Sequence, residues 1–140
     1  MILDTCFLID LQREFHSRTA GAARLFVEAH LETHFQISTV SVVEFLEGFE
    51  DQSRGERLIA NLEWIDVDEE VARIAASIRR NLRKNRSLIG DFDILIAATA
   101  LASDLPLVTN DREHFERVDE LEVIDYPAAR ANSSSGSATL

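Results

Sequence analysis

The sequence predicts an α/β fold with a mainly parallel sheet of four or five strands, because short apolar runs typical of strands alternate with segments of helical periodicity. At 140 residues, the chain is long enough for one domain with its own hydrophobic core. We expect this single domain to span residues 1–128, because the small and polar residues in 129–140 resemble a disordered tail.

The strand candidates are short apolar or alternating segments that begin at the N-terminus with MILD. They lie at residues 1–4, 34–39, 62–67, 105–109 and 121–126. Asp4 would close the first of these strands, and Trp64, in the third, is expected in the core.

Helices are expected between the strands, where apolar residues recur three and four positions apart. They are predicted at residues 18–32, from Ser41 to Phe49, from Asp68 to Leu82, at 91–103 and, as one or two turns, at 112–117. Asp68 can serve as an N-cap. The nearly all-apolar segment 91–103 has the pattern of a buried helix.

Net charge and cysteine content limit the function classes. With 25 acidic against 14 basic residues, the formal net charge is −11, which argues against broad electrostatic binding of nucleic acid. A local basic patch, a bound metal ion or a basic protein partner is compatible with that charge. The single cysteine, Cys6, cannot form a disulfide framework. Because we find neither a signal peptide nor an apolar stretch of the roughly 18 residues that span a membrane, we expect a soluble, cytoplasmic protein.

Acidic residues follow several of the predicted strands. Asp4 closes the first strand and Asp111 follows LPLVT, while Glu44 and Asp93 lie near the start of predicted helices. Ligand sites in open parallel sheets lie at the C-terminal ends of the strands, so these carboxylates can converge there. A carboxylate pair about 4 Å apart costs on the order of 4 kcal/mol at an effective dielectric of about 20, so such a cluster persists by binding protons or hard cations. Oxygen ligands suit Mg²⁺ or Mn²⁺, which favours phosphodiester hydrolysis.

Four motifs resemble those of the PIN-domain nucleases and, within them, the VapC-type toxins of bacterial toxin–antitoxin pairs. The matching segments are LDTCFLID at 3–10, STVSVVEFLEG at 38–48, GDFDILIAATAL at 90–101 and LPLVTNDREHFERV at 105–118. The resemblance extends from residue 1 to about residue 127. It implies a three-layer PIN-like domain and a divalent-metal-dependent endoribonuclease, in which water attacks the RNA phosphodiester without a covalent enzyme intermediate.

The resemblance also implies roles for individual residues. It makes Asp4, Glu44, Asp93 and Asp111 the ligands of Mg²⁺ or Mn²⁺, with Asp111 at the least uniform of the four positions. Thr5 and Thr109 would orient these ligands or a bound water, and Asp91 and Asn110 are secondary candidates. Cys6 stands where the family more often has Asn or Ser, so a supporting hydrogen bond is expected to be missing.

Local structural roles compete with these functional ones. Ser41-x-x-Glu44 matches a capping box, in which Glu44 would bond back to the Ser41 amide. Asp111 has the alternative role of a turn residue. His114, close to it in sequence, is expected to be structural or at the surface.

Asp91 and Asp93 are expected to do different jobs. Residues two positions apart on a helix point roughly 200° from each other, so the two side chains need not share one site. We expect Asp91 to be the N-cap of the helix and Asp93 to be the metal ligand in its first turn.

One basic cluster lies near the end of the helix that begins at Asp68. Its members are Arg79, Arg80, Arg83, Lys84 and Arg86. The helix dipole favours cations at this end, which is the structural explanation for the cluster. Contact with RNA phosphates is the functional explanation.

The function that these observations favour is a ribonuclease toxin that uses Mg²⁺ or Mn²⁺. The expected partners are RNA, a cognate antitoxin that covers or enters the acidic pocket, and a second copy of the chain, with no membrane contact. Apolar residues within 22–29 or 42–49 would offer a surface to either protein partner. Two alternatives stay open: a catalytically silent PIN-like binding module, and a metal-dependent phosphatase or DNA-directed nuclease.

Overall fold

The computed structural model describes residues 1–126, which form a five-stranded sheet in which all neighbouring strands are parallel. The strands are β1 Ile2–Leu3, β2 Gln36–Ser38, β3 Glu63–Ile65, β4 Leu107–Thr109 and β5 Val123–Asp125. Their order across the sheet is β3-β2-β1-β4-β5, so β1 is the central strand. The predicted parallel α/β fold is confirmed. The predicted domain end at 128 and the tail at 129–140 lie outside the described residues.

Helices connect the strands. They are α1 Thr5–Ser17, α2 Ala22–Ala29, α3 Thr39–Leu46, α4 Gln52–Ile59, α5 Glu69–Lys84, α6 Asp91–Ala102 and α7 Arg112–Phe115. The sequence did not predict α1, which follows β1 with no loop because Asp4 both ends the strand and caps the helix. It did not predict α4 either, a mostly polar helix that buries only Gly55 and Ile59. Among residues 1–126, no helix is long and apolar enough to cross a membrane.

The core has two parts, one on each face of the sheet. Successive strand residues point to opposite faces, so Ile2 and Leu107 pack with α5 and α6, whereas Leu3 and Val108 pack with residues of α1 and α4. Helices therefore cover both faces, as the three-layer prediction requires. On the first face, α5 packs along α6, which carries four buried alanine or isoleucine residues between 96 and 100.

Two predicted helix starts were wrong. Helix α3 is capped by Ser38, whose hydroxyl oxygen accepts the Val40 amide at 3.2 Å, so this helix begins before Ser41. Helix α6 is capped by Gly90, and Asp91 is already its first helical residue. The predicted cap of α5 is correct, since the Asp68 carboxylate accepts the Val71 amide at 2.9 Å.

Apolar side chains of three elements lie at the surface, among them Trp64, which was expected in the core. Trp64 is 45% exposed because β3 is an edge strand of the sheet, so its side chains lack a neighbouring strand on one side. In α2, Ala23 is the buried residue, whereas Leu25 is 57% exposed. Val43 of α3 is also exposed. The segments 22–29 and 42–49, which were expected to offer an apolar surface, therefore each have an exposed large apolar side chain.

Candidate metal centre

The predicted acidic residues converge at the C-terminal ends of the two central strands. Asp4 follows β1, and Asp111 follows β4, the parallel neighbour of β1. Helix α3 brings Glu44 to the same end through a hydrogen bond to Thr5, which follows Asp4 in the chain. Helix α6 adds Asp93 from its first turn. Four separate segments of the chain therefore contribute one carboxylate each.

Asp4 is the most constrained of these carboxylates. Its side chain is buried, and its Oδ1 accepts the Thr5 amide at 2.8 Å. Its Oδ2 accepts the Thr109 hydroxyl at 2.7 Å and the Cys6 thiol at 3.3 Å. Burial raises the pKa of Asp4 above its ordinary value, although these hydrogen bonds oppose the shift. The carboxylate is thus fixed in one orientation and electrostatically unfavourable in its ionised form.

Thr5 and Thr109 form hydrogen bonds with the acidic residues. The Thr5 hydroxyl donates to Glu44 Oε1 at 2.8 Å. The Thr109 hydroxyl donates to Asp4 and also accepts the backbone amide of Asp111 at 3.0 Å, so one side chain links two of the proposed ligands.

The alternative role of Glu44 in a capping box is wrong. Glu44 lies in the second turn of α3, because this helix begins at Thr39, and its carboxylate is bonded to Thr5 rather than to the helix start. The Ser41 hydroxyl is buried, with no hydrogen-bond partner among residues 1–126. Burial raises the pKa of Glu44, and the charge of Asp4 adds to that increase.

Asp93 experiences the charge of all the other acids. Burial and, after it, the charges of Asp4, Glu44 and Asp111 together raise its pKa to about 6. The four carboxylates therefore interact electrostatically with one another.

Asp111 completes the group together with a histidine. Asp111 Oδ2 lies 2.6 Å from Nδ1 of His114, across one turn of α7. One possible ligand atom from each of Asp93, Asp111 and His114 lies within 4.8 Å of the others. The expectation that His114 has only a structural or surface role therefore missed its contact with a proposed ligand. The signal in the sequence was its spacing of three residues from Asp111, which places both side chains on one helical face.

Cys6 supplies the hydrogen bond that was expected to be missing. Its thiol donates to Asp4 Oδ2 and lies 3.5 Å from the Thr109 hydroxyl oxygen. Burial raises the pKa of the Cys6 thiol to about 12, with the charge of Asp4 as a second cause, so the group keeps its proton. A thiol therefore makes the contact expected of the Asn or Ser that the resemblance implies at this position.

Two secondary candidates form hydrogen bonds with residues outside the acidic group. Asp91 was expected to cap α6, but its carboxylate accepts a hydrogen bond from Nε of Arg79 at 2.9 Å. The Asp91 side chain is 71% exposed. The Asn110 side-chain amide donates to Asp10 at 3.3 Å. Asp10 also accepts the hydroxyl of buried Tyr126 at 2.9 Å, so Asn110 helps to join the loop after β4 to α1.

One member of the basic cluster contacts the helix that carries Asp93. The Arg79–Asp91 ion pair fastens the C-terminal half of α5 to the start of α6, two residues before Asp93. The other members, which form no ion pair within residues 1–126, are exposed: Arg80, Arg83, Lys84 and Arg86. The Arg79–Asp91 pair thus places the C-terminal half of α5, which also carries Arg80, Arg83 and Lys84, next to the start of α6.

The donor set fits a hard divalent cation. Carboxylate oxygens are the ligands that Mg²⁺ and Mn²⁺ prefer, and opposite ligands of such ions lie about 4 Å apart. Carboxylate oxygens of Asp93 and Asp111 lie within 4.8 Å of each other, close to that span. Burial and mutual repulsion raise the pKa of Asp4, Glu44 and Asp93, and a cation would relieve that repulsion.

Comparison with known proteins identifies the family. The family model described as PIN domain matches residues 1–121, and this chain belongs to the PIN-domain family. Ribonuclease VapC1 of Methanocaldococcus jannaschii is 36% identical, over 90% of this chain and 86% of the relative. Ribonuclease VapC of Rickettsia bellii is 30% identical, over 91% of this chain and 96% of the relative.

Solved structures share the fold. VapBC2 from Rickettsia felis, bound to a DNA fragment from its promoter, matches 90% of this chain and 98% of its own, with a TM-score of 0.76 at 21% identity. FitAcB from Neisseria gonorrhoeae matches 88% of this chain and 95% of its own, with a TM-score of 0.74 at 23% identity. The fold of this chain, with helices on both faces of a parallel sheet, is therefore shared with these solved structures.

Proposed function

We propose that this chain is a divalent-metal-dependent endoribonuclease that acts as the toxin of a toxin–antitoxin pair. The observation that carries the proposal is the convergence of Asp4, Glu44, Asp93 and Asp111 at one end of the sheet, with the pKa of Asp93 raised to about 6. Relatives named ribonuclease VapC support RNA as the substrate.

The four acids and their threonine partners form the proposed machinery. Asp4, Asp93 and Asp111 would hold Mg²⁺ or Mn²⁺, and Glu44 would complete the set. A bound cation would lower the pKa of a water molecule and offset negative charge on the reacting phosphate. Thr5 and Thr109 keep Glu44 and Asp4 in place before the cation arrives, so little side-chain ordering is left to occur on binding.

The basic cluster would contact the RNA backbone. Arg80, Arg83 and Lys84 are exposed on α5, whose C-terminal half lies beside the start of α6. Cations beside an acidic catalytic group allow a chain of net charge −11 to hold a polyanion locally.

An antitoxin and a second copy of the chain are the proposed protein partners. Solved structures that share the fold include a toxin–antitoxin complex from Klebsiella pneumoniae, which supports an antitoxin for this chain. The acidic net charge would suit a basic antitoxin segment. A cytoplasmic location, where an RNA substrate and a reduced Cys6 thiol are both expected, is part of the same proposal.

The test is cleavage of total RNA by the wild type, Asp93→Asn and Asp91→Asn, each with and without added Mn²⁺. The proposal expects cleavage by the wild type only with metal, a loss of at least about 100-fold in Asp93→Asn, and near wild-type activity in Asp91→Asn. Single-stranded DNA of matched sequence, assayed in parallel, is expected to stay intact. Equal cleavage by the wild type and Asp93→Asn would overturn the assignment, and cleavage of DNA alone would favour the DNA-directed alternative.

A further inference from the structure

We propose that His114 is a positioning residue for Asp111. It holds the Asp111 carboxylate beside Asp93 and thereby increases the affinity of the site for its cation. The inference rests on the proposed function, because it concerns the same metal centre. It starts from the 2.6 Å contact between His114 Nδ1 and Asp111 Oδ2. In the tautomer with its proton on Nδ1, the imidazole donates to the carboxylate.

The local structure of α7 shows why Asp111 needs to be held. Asp111 occupies the N-cap position of this helix, where an aspartate side chain usually accepts an amide of the first turn. Here the Asp111 side chain makes no such bond. Its hydrogen bond to His114 therefore competes with capping, and without His114 the carboxylate would be able to turn toward the α7 amides instead.

Backbone and side chain of Asp111 are fixed from different sides. The Asp111 amide donates to the Thr109 hydroxyl, and the same hydroxyl donates to Asp4. His114 fixes the carboxylate end. Because the possible ligand atoms of Asp93, Asp111 and His114 lie within 4.8 Å of one another, the carboxylate is held where a cation bound by Asp93 would meet it.

His114 is poorly placed for a role in the hydrophobic core. Its side chain is 45% exposed, whereas Phe115, the next residue, is fully buried. Substitution of His114 is therefore expected to leave the fold intact, which allows metal binding to be measured without the effect of unfolding.

The experiment is Mn²⁺ titration calorimetry of the full chain as wild type, His114→Leu and His114→Asn. Leu removes the donor while keeping similar bulk, and Asn keeps an amide donor near the position of Nδ1. Groups that orient metal ligands are worth about 10- to 100-fold in affinity, so His114→Leu is expected to weaken Mn²⁺ binding by at least about tenfold. His114→Asn is expected to recover most of that loss.

His34→Leu is the matched control. His34 is 79% exposed and paired with Glu63, and it precedes β2, at the end of the sheet opposite the acids. The His34→Leu variant is expected to bind Mn²⁺ with the same affinity as the wild type. Thermal unfolding would check that every variant is folded.

Wild-type affinity in His114→Leu, or an equal loss in His114→Leu and His114→Asn, would overturn the positioning role and leave the metal centre standing. No Mn²⁺ binding by the wild type would overturn both this role and the proposed metal dependence, so the two failures are distinguishable.

Discussion

Asp91 and Asp93 show how neighbouring residues of one type acquire different properties. Asp91 is largely exposed and pairs with Arg79, a contact that joins α5 to α6. Asp93 lies among the other acids, and burial together with their charge raises its pKa to about 6. Environment rather than residue type separates a surface ion pair from a proposed metal ligand.

Asp93→Asn is expected to stabilise the metal-free protein. The folded-state pKa of Asp93 is about 6, above the ordinary 3.8, so this residue favours folding most when it is protonated. The contribution of Asp93 to the free energy of unfolding is fully present below about pH 3.8, the ordinary pKa of an aspartate, and is lost as the pH rises through about 6. At about pH 7.5, Asp93→Asn should therefore melt a few degrees above the wild type, measured by circular dichroism in a chelator.

The pH dependence supplies the control for that measurement. The difference in melting temperature between Asp93→Asn and the wild type should shrink toward zero as the pH falls to about 4. Asp91→Asn, which loses only an exposed ion pair, should change the free energy of unfolding by less than about 1 kcal/mol. A difference for Asp93→Asn that is independent of pH would contradict this account.

At the scale of elements, the start of α3 determines where Glu44 lies. Ser38 ends β2 and caps α3, and its hydroxyl also lies 3.3 Å from that of Thr99 in α6. One side chain therefore links the strand, the helix that carries Glu44 and the helix that carries Asp93. Ser41, three residues further on, has a buried hydroxyl without a partner in the described part of the chain.

Alanine substitutions of these two serines should have different effects. Loss of an N-cap costs about 0.5–2 kcal/mol, so Ser38→Ala should lower the free energy of unfolding by about that amount. Removal of an unsatisfied buried hydroxyl carries no such cost, so Ser41→Ala should be neutral or stabilising. Urea denaturation of both variants measures the difference. If Ser41→Ala were the more destabilising substitution, Ser41 rather than Ser38 would be the N-cap of α3.

At the scale of the whole molecule, charge is distributed unevenly. The net charge is −11, and the acidic centre contributes to it. The exposed cations near the C-terminal end of α5 are Arg80, Arg83, Lys84 and Arg86. An RNA strand would then be drawn to one border of the site rather than to the surface as a whole.

Charge reversal tests this arrangement. The double variant Arg80→Glu/Arg83→Glu should bind single-stranded RNA more weakly, with the slope of log affinity against log salt reduced by about 1.4 if both residues contact phosphates. Arg73→Glu is the matched control, because Arg73 lies on the same helix, 74% exposed, but in its first half. Equal slopes for the double variant and the wild type would remove the basic cluster from the RNA contact.

The sequence predicted the sheet and the acids better than the helix starts. Alternation of strands and helices identified the parallel sheet, and motif spacing located Asp4 and Asp93. The caps were harder, because serine is a common N-cap residue and both Ser38 and Ser41 lie near the start of α3. The bond from the Val40 amide to the Ser38 hydroxyl identifies Ser38 as the cap. The bond between Cys6 and Thr109 could not be predicted, since it joins residues far apart in the sequence. The contact of His114 with Asp111 had a signal in their spacing of three residues, but the prediction for His114 did not use it.

The position of a bound cation tests the central claim most directly. Anomalous diffraction at the manganese edge, from crystals soaked in Mn²⁺, should show a peak contacted by carboxylate oxygens of Asp4, Asp93 and Asp111. Asp93→Asn crystals treated in the same way should show a weaker peak or none. A fully occupied wild-type peak elsewhere on the chain, with none among these acids, would contradict the account.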